Sequence, residues 1–182
     1  MNSAVVRSIE PADVGDVIGH VRQIGRAARE ASVAMSAADS RSKDQALLKI
    51  AQLLRQHSHH VKQANAIDLE RARKSGVQSA LLDRLTLDDD AIEQMALGVE
   101  QVVRLPDPIG EITDLRPRPS GIKVGRMRVP LGVIAIVYES RPNVTVDAAA
   151  LCIKSGNSAI LRGGSEAIES NRVLARIVRE GL

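Results

Sequence analysis

Residues 132–138 read Gly-Val-Ile-Ala-Ile-Val-Tyr, and residues 158–162 read Ser-Ala-Ile-Leu-Arg. The first stretch is short, continuous and β-branched, the pattern of a strand buried on both faces of a parallel sheet. Ser158 to Leu161 makes a second buried strand. Between them Val146, Ala149, Ala150 and Ile153 recur at helical spacing and stop at Ser155-Gly156-Asn157. After the turn Arg162-Gly163-Gly164-Ser165, the residues Val173, Leu174, Ile177 and Val178 mark a closing helix. The order β-α-β-α is the unit of an open α/β sheet with right-handed crossovers. Two parallel strands cannot bury both faces of a sheet, so more protein is expected beyond Leu182.

Upstream the texture differs. Residues 1–10 are irregular; from Pro11 to about Ala38, apolar Val14, Val17, Ile18, Val21 and Ile24 predict a helix that can break near Gly25. Ser40 stands where an N-cap belongs, ahead of Ala46, Leu47, Ile50, Leu53 and Leu54 on one face. A third helix carries Val61, Ala64 and Ile67 and ends with Arg71, Arg73 and Lys74 before Ser75-Gly76, favourable C-terminal chemistry. A fourth starts near Thr86, with Asp88, Asp89 and Asp90 in its first turn and Ile92, Met95, Val99 and Val102 facing inward. Pro106, Pro108, Pro117, Pro119 and Pro130 exclude helix from the next segment. There 111–116 and 122–129, separated by Pro119-Ser120-Gly121, form a hairpin exposing Lys123, Arg126 and Arg128.

The 182 residues, 44% hydrophobic and 26% charged, fit one domain or at most two and argue against disorder. Tyr138 is the one aromatic residue, so base-stacking platforms are missing. A net charge of +3 does not imply a polyanion partner, and nucleic-acid binding is not expected. No apolar run reaches the roughly 18 residues of a membrane span, the N-terminus lacks a signal-peptide pattern, and lone Cys152 cannot form an internal disulfide. A cytoplasmic location is expected.

Open α/β sheets bind ligands beyond the carboxyl ends of their strands, here at 139–145 and 162–166. In Arg162-Gly163-Gly164-Ser165 a guanidinium and two glycines precede a helix N-terminus, which suits a nucleotide ribose or phosphate, or is an ordinary strand-to-helix turn. In Ser140-Arg141-Pro142-Asn143, Arg141 can hold a phosphate or carboxylate. Asn143 can donate to an oxyanion or simply cap the next helix. Neither Gly-x-Gly-x-x-Gly nor a P-loop is present. Cys152, amid Ala150, Leu151 and Ile153, is a core thiol. His57, His59 and His60 lack ligands at metal spacing, so no metal site is expected.

Val129-Pro130-Leu131-Gly132-Val133-Ile134, Tyr138-Glu139-Ser140-Arg141-Pro142-Asn143-Val144-Thr145-Val146-Asp147, Ser155-Gly156-Asn157 and Ile160-Leu161-Arg162-Gly163-Gly164-Ser165-Glu166 together resemble the gamma-glutamyl phosphate reductases of the aldehyde dehydrogenase superfamily. So do Ala64-Asn65-Ala66-Ile67-Asp68-Leu69 and Leu82-Asp83-Arg84-Leu85. The resemblance implies an aldehyde dehydrogenase-like α/β fold. Its parts would be a helical portion of the cofactor-binding domain (1–110), an oligomerising hairpin (111–129) and the first β-α-β-α of the NADPH-binding sheet (130–182). It implies NADPH-dependent reduction of L-glutamate 5-phosphate to L-glutamate 5-semialdehyde with phosphate release, in proline biosynthesis, by a homo-oligomer. Asn143 then looks like the oxyanion asparagine, with Arg141 and Ser140 on the substrate. Arg162, Gly163, Gly164, Ser165 and Glu166 would lie on the cofactor, Arg162 replacing the usual ribose-contacting lysine. The family's nucleophilic cysteine does not match Cys152 and is expected in a catalytic domain beyond residue 182, so the 182 residues alone are expected to be inactive. A dehydrogenase of free aldehydes and a short non-catalytic oligomerisation module are the alternatives.

Overall fold

The computed structural model describes residues 16–182; Val14 and the irregular segment 1–10 lie outside them. Helix α1 spans Val17–Ala37 and is started by Asp16, whose carboxylate accepts from the Gly19 amide at 2.7 Å. It runs unbroken through Gly25. Its buried residues are Ala31, Ser32 and Met35, whereas Val17, Ile18 and Val21 are exposed, so the expected apolar face is not the packed one. Helix α1 meets the sheet at Ser158, whose Oγ donates to the Ala28 carbonyl at 2.8 Å.

Helix α2, Ser40–Gln56, is capped by Asp39 rather than Ser40: the Asp39 carboxylate accepts from the Ser42 amide. A carboxylate one position earlier meets the free amides of the first turn, and the Ser40 hydroxyl donates instead to Asp107. In α3, Ser58–Lys74, the inward face holds Val61, Ala64, Asn65, Asp68, Leu69 and Ala72, while Ile67 is exposed. Two polar residues thus occupy the face assigned in part to an isoleucine. A short helix α4, Ser79–Leu85, which sequence periodicity misses, ends at Thr86. The next helix, α5, Asp89–Arg104, begins after Asp88, which caps the Ala91 amide.

The hairpin strands β1, Ile112–Pro117, and β2, Lys123–Met127, pair antiparallel, with a register shift between Thr113 and Arg116 where Asp114 takes a positive φ of 55°. Strands β3, Val133–Val137, and β4, Ser158–Arg162, pair in parallel through α6, Asn143–Lys154. A 3-10 turn, Ser165–Ala167, leads into α7, Ile168–Glu180. Ala135 and Val137 of β3 are exposed, contrary to a strand buried on both faces. The reason is geometric: among the described residues β3 has one neighbouring strand, and one face stays open.

The main core joins α2, α5, α6 and α7 through Leu47, Ile50, Leu54, Ile92, Val99, Val146 and Leu174. A second, smaller cluster of Leu69, Ala72, Leu85 and Ala167 lies between α3, α4 and the 3-10 turn. Beneath the strands, Asn157 Oδ1 accepts from the Gly132 amide at 2.8 Å, and Gly156 holds φ +67°. A Cβ at Gly156 would sit 3.1 Å from Pro130 Cγ, so the α6–β4 turn requires glycine twice over.

Candidate functional site

Parallel pairing aligns Val137 with Arg162, and the Tyr138 amide donates to the Arg162 carbonyl at 3.0 Å. Both strands therefore end at one edge of the sheet, and the two following loops face each other. Between them lies a cleft of about 460 Å³. Its walls include Ser140 on one loop, Arg162, Gly164 and Glu166 on the other, Val137 at the strand end and Leu81 from α4. The structure thus brings Glu139 and Ser140 of the first predicted segment and Arg162, Gly164, Ser165 and Glu166 of the second into one concavity, while Arg141, Asn143 and Gly163 do not line it.

Ser140 Oγ donates to Glu166 Oε2 at 3.0 Å, a direct link between the loops. Glu166 is exposed, and its carboxyl is held below the ordinary glutamate range, first by its own backbone amide and then by the Ser140 hydroxyl, with Arg162 adding a favourable charge. Gly163 and Gly164 sit in crowded positions. A Cβ at Gly163 would press on Asn171 and on the Tyr138 ring at 3.0 Å. One at Gly164 would lie 3.3 Å from Ser140 Oγ. Side chains at these positions would have to displace Asn171, Tyr138, Glu166 or Ser140, so the two glycines let the chain run close against the first loop.

Below the loops runs a hydrogen-bonded chain. Thr145 Oγ1 donates to Asn171 Oδ1 at 2.9 Å, so its contact with Tyr138 Oη at 2.6 Å has the phenol as donor. Burial pushes the Tyr138 pKa up, which keeps that proton in place. Tyr138 is thus the bolt between the first loop, α6 and α7.

Asn143 is the first residue of α6, not its N-cap, which is Pro142 without a side-chain bond. Its Nδ2 donates to Asp147 Oδ2 at 3.0 Å, one turn along the helix. Desolvation raises the Asp147 pKa, and the Asn143 bond opposes that rise. Arg141 is exposed, and its amide closes a tight turn on the Glu139 carbonyl at 2.8 Å, so its guanidinium projects from a constrained backbone. Pro142 beneath it is buried.

Cys152 is buried, and desolvation raises its thiol pKa, the opposite of what a nucleophile needs. His57 joins α2 to α3, and among the described residues no group of three or more His, Cys, Asp or Glu is arranged to hold a metal ion. Asp88 caps α5 and Asp89 pairs with Lys62 at 2.7 Å. Among the described residues no helix is long and apolar enough to cross a membrane.

Sequence reasoning missed Leu81 because α4 is too short for periodicity to register. It also missed a polar cluster inside the fold. Asp68, with no exposed surface, accepts from the Ser170 amide at 2.8 Å, from the Glu169 amide at 3.2 Å and from Ser170 Oγ at 2.8 Å. Asn65 Nδ2 donates to the Leu85 carbonyl at 2.8 Å and to Ser170 Oγ at 3.1 Å, while Oδ1 accepts from the Leu87 amide at 2.9 Å. The available signal was Asn65 and Asp68, three apart, on the face that Val61, Ala64 and Leu69 turn inward.

The architecture is that of the aldehyde dehydrogenases. A NAD-dependent benzaldehyde dehydrogenase from Corynebacterium glutamicum superposes on 90% of the chain with a TM-score of 0.69 at 18% identity. Within that fold the chain is similar in sequence as well as structure to gamma-glutamyl phosphate reductases. The enzyme of Thermotoga maritima is 43% identical over 89% of the chain, with a TM-score of 0.87. That of Saccharomyces cerevisiae is 36% identical over 87%, with a TM-score of 0.83. The chain spans 39% and 40% of those two proteins and matches their N-terminal portion. No protein-family model matches it.

Proposed function

We propose that residues 1–182 form the cofactor-binding part of an NADPH-dependent reductase that converts L-glutamate 5-phosphate to L-glutamate 5-semialdehyde with release of phosphate, in proline biosynthesis. The observation that carries this reading is the single cleft made by the two strand-end loops, bridged by Ser140 and Glu166, in a chain similar to gamma-glutamyl phosphate reductases. A dinucleotide suits the donor set. Arg162 offers a cation for a ribose 2′-phosphate, Glu166 an ionised acceptor for hydroxyls, and the close-packed Gly163-Gly164 backbone a side-chain-free approach. NADPH, when bound, supplies the hydride.

In this reading Arg141 holds the acyl phosphate by charge, with Ser140 beside it. Asn143 orients its amide N–H toward the developing oxyanion, which requires it to exchange the Asp147 bond for the substrate. The reaction also needs a thiolate to attack the acyl phosphate, and buried Cys152 is not suited to supply it. The polypeptide 1–182 is therefore expected to bind the dinucleotide without turning over. The hairpin serves homo-oligomer contacts. Residues 1–110, 111–129 and 130–182 act as helical support, oligomer arm and cofactor sheet.

Titrating the 182-residue protein with NADPH, followed by nicotinamide fluorescence, tests the reading. Saturable binding that Arg162→Ala weakens about tenfold is expected, the scale of a lost charge-assisted hydrogen bond. Absence of binding, or equal binding by the variant, overturns it.

A further inference from the structure

We propose that Asn65, Asp68 and Ser170 are positioning residues for the cleft: one buried polar cluster, formed by Asn65 and Asp68 of α3 with Ser170 of α7, holds two parts of its wall in register. The Leu81 wall belongs to α4, whose last residue, Leu85, gives its carbonyl to Asn65. A second part of the wall, Gly164 to Glu166, leads through the 3-10 turn into α7, whose Glu169 and Ser170 amides are bound by Asp68. Helix α7 has no side-chain cap of its own; Ala167 precedes it. Its N-terminal cap comes instead from a residue about a hundred positions earlier, as the separations of 101 and 102 residues record.

The cluster is complete within itself. Both N–H groups of Asn65 are used, Ser170 Oγ accepts from Asn65 and donates to Asp68, and the positive end of α7 faces the Asp68 carboxylate. Around it lie Leu69, Ala72, Leu85 and Ala167. Apolar side chains would fill such a space with less desolvation, and they would leave the rotation and height of α4 and α7 undefined. Directional hydrogen bonds define both. Arg71, with Nη1 3.7 Å from Asp68 and Nη2 3.9 Å from Glu169, closes the cluster toward solvent.

The ligand arm of the test rests on the cofactor reading above, and the structural arm does not. Asp68→Asn, Asp68→Ala, Asn65→Ala and Ser170→Ala are compared with Met95→Ala, a substitution in the main core away from the cleft, at temperatures giving equal fractions unfolded. Hydrogen exchange is read at amides 165–170 and 81–87. The cluster variants are expected to speed exchange at both walls about tenfold more than Met95→Ala does, with Asp68→Asn, which keeps one acceptor, milder than Asp68→Ala. NADPH affinity is expected to fall about tenfold in the cluster variants and to hold in Met95→Ala. Equal exchange in cluster and control variants overturns the inference. If the parent protein binds no NADPH, the cofactor reading fails, and the exchange comparison still decides the positioning role.

Discussion

Both sheets among the described residues have two strands, yet they sit in the molecule in opposite ways. The parallel pair β3–β4 must be joined by a crossover, and its crossover, α6, brings part of the core with it: Val146, Ala149 and Ile153 are buried against the helices. The antiparallel pair β1–β2 closes through a short turn at Pro119-Ser120-Gly121 and brings nothing. Every residue of both hairpin strands is exposed, including Ile112 at 57% and Leu115 at 56%. A connection imposed by strand direction therefore decides which sheet enters the core. The exposed apolar side chains of the hairpin give the expected oligomer contacts a physical motive.

The sharpest way to break this contrast is to remove the same side chain from each region. Leu174→Ala, in the helical core that the crossover α6 joins and at 0% exposure, is expected to cost about 2–5 kcal/mol in urea unfolding. Leu115→Ala on the hairpin is expected to cost under about 0.5 kcal/mol in the monomer. A hairpin cost matching the core cost at a concentration where the protein is monomeric would erase the distinction.

A smaller effect tests the join between sheet and helix. Asn157→Ala leaves the Gly132 amide without its acceptor and should destabilise by about 1–3 kcal/mol, with faster exchange at Gly132 and along β3 but not in the hairpin. Uniform loosening of both sheets would contradict their separation.

The smallest expected effect is electrostatic and confined to the cleft. The Glu166 pKa is lowered, so the ionised carboxylate is the form held in the folded protein, and the Ser140–Glu166 link is present above the ordinary glutamate range and lost as pH falls through the depressed value. Ser140→Ala should move the Glu166 titration, followed by carboxyl NMR, up toward the ordinary range. An unchanged Glu166 titration would show that its own backbone amide suffices.

Much of this architecture was legible in the chain. The β-α-β-α order, the face of α2 and the hairpin follow from local periodicity and proline placement, which act over a few residues. Boundaries failed where two competent caps adjoin: Asp39 and Ser40 both qualify, and only the position of the first amides chooses. The exposure of Val17, Ile18 and Val21 was illegible because periodicity reports that a face is apolar, not that anything covers it. Of the cleft, both loops were readable from their glycines and charges. Leu81 and the Asn65–Asp68–Ser170 cluster were not, since their partners lie far along the chain.

The sequence by itself determined which segments become strand and helix, which ends of the strands carry polar loops, and the likeness to gamma-glutamyl phosphate reductases. Tertiary structure alone decided that those loops share one cleft, that Asn143 bonds along its own helix, and that α7 is capped from α3. Local preferences are set by neighbours a few bonds away. The direction of a side chain, by contrast, depends on which distant amides and carbonyls the packed helices leave unpaired.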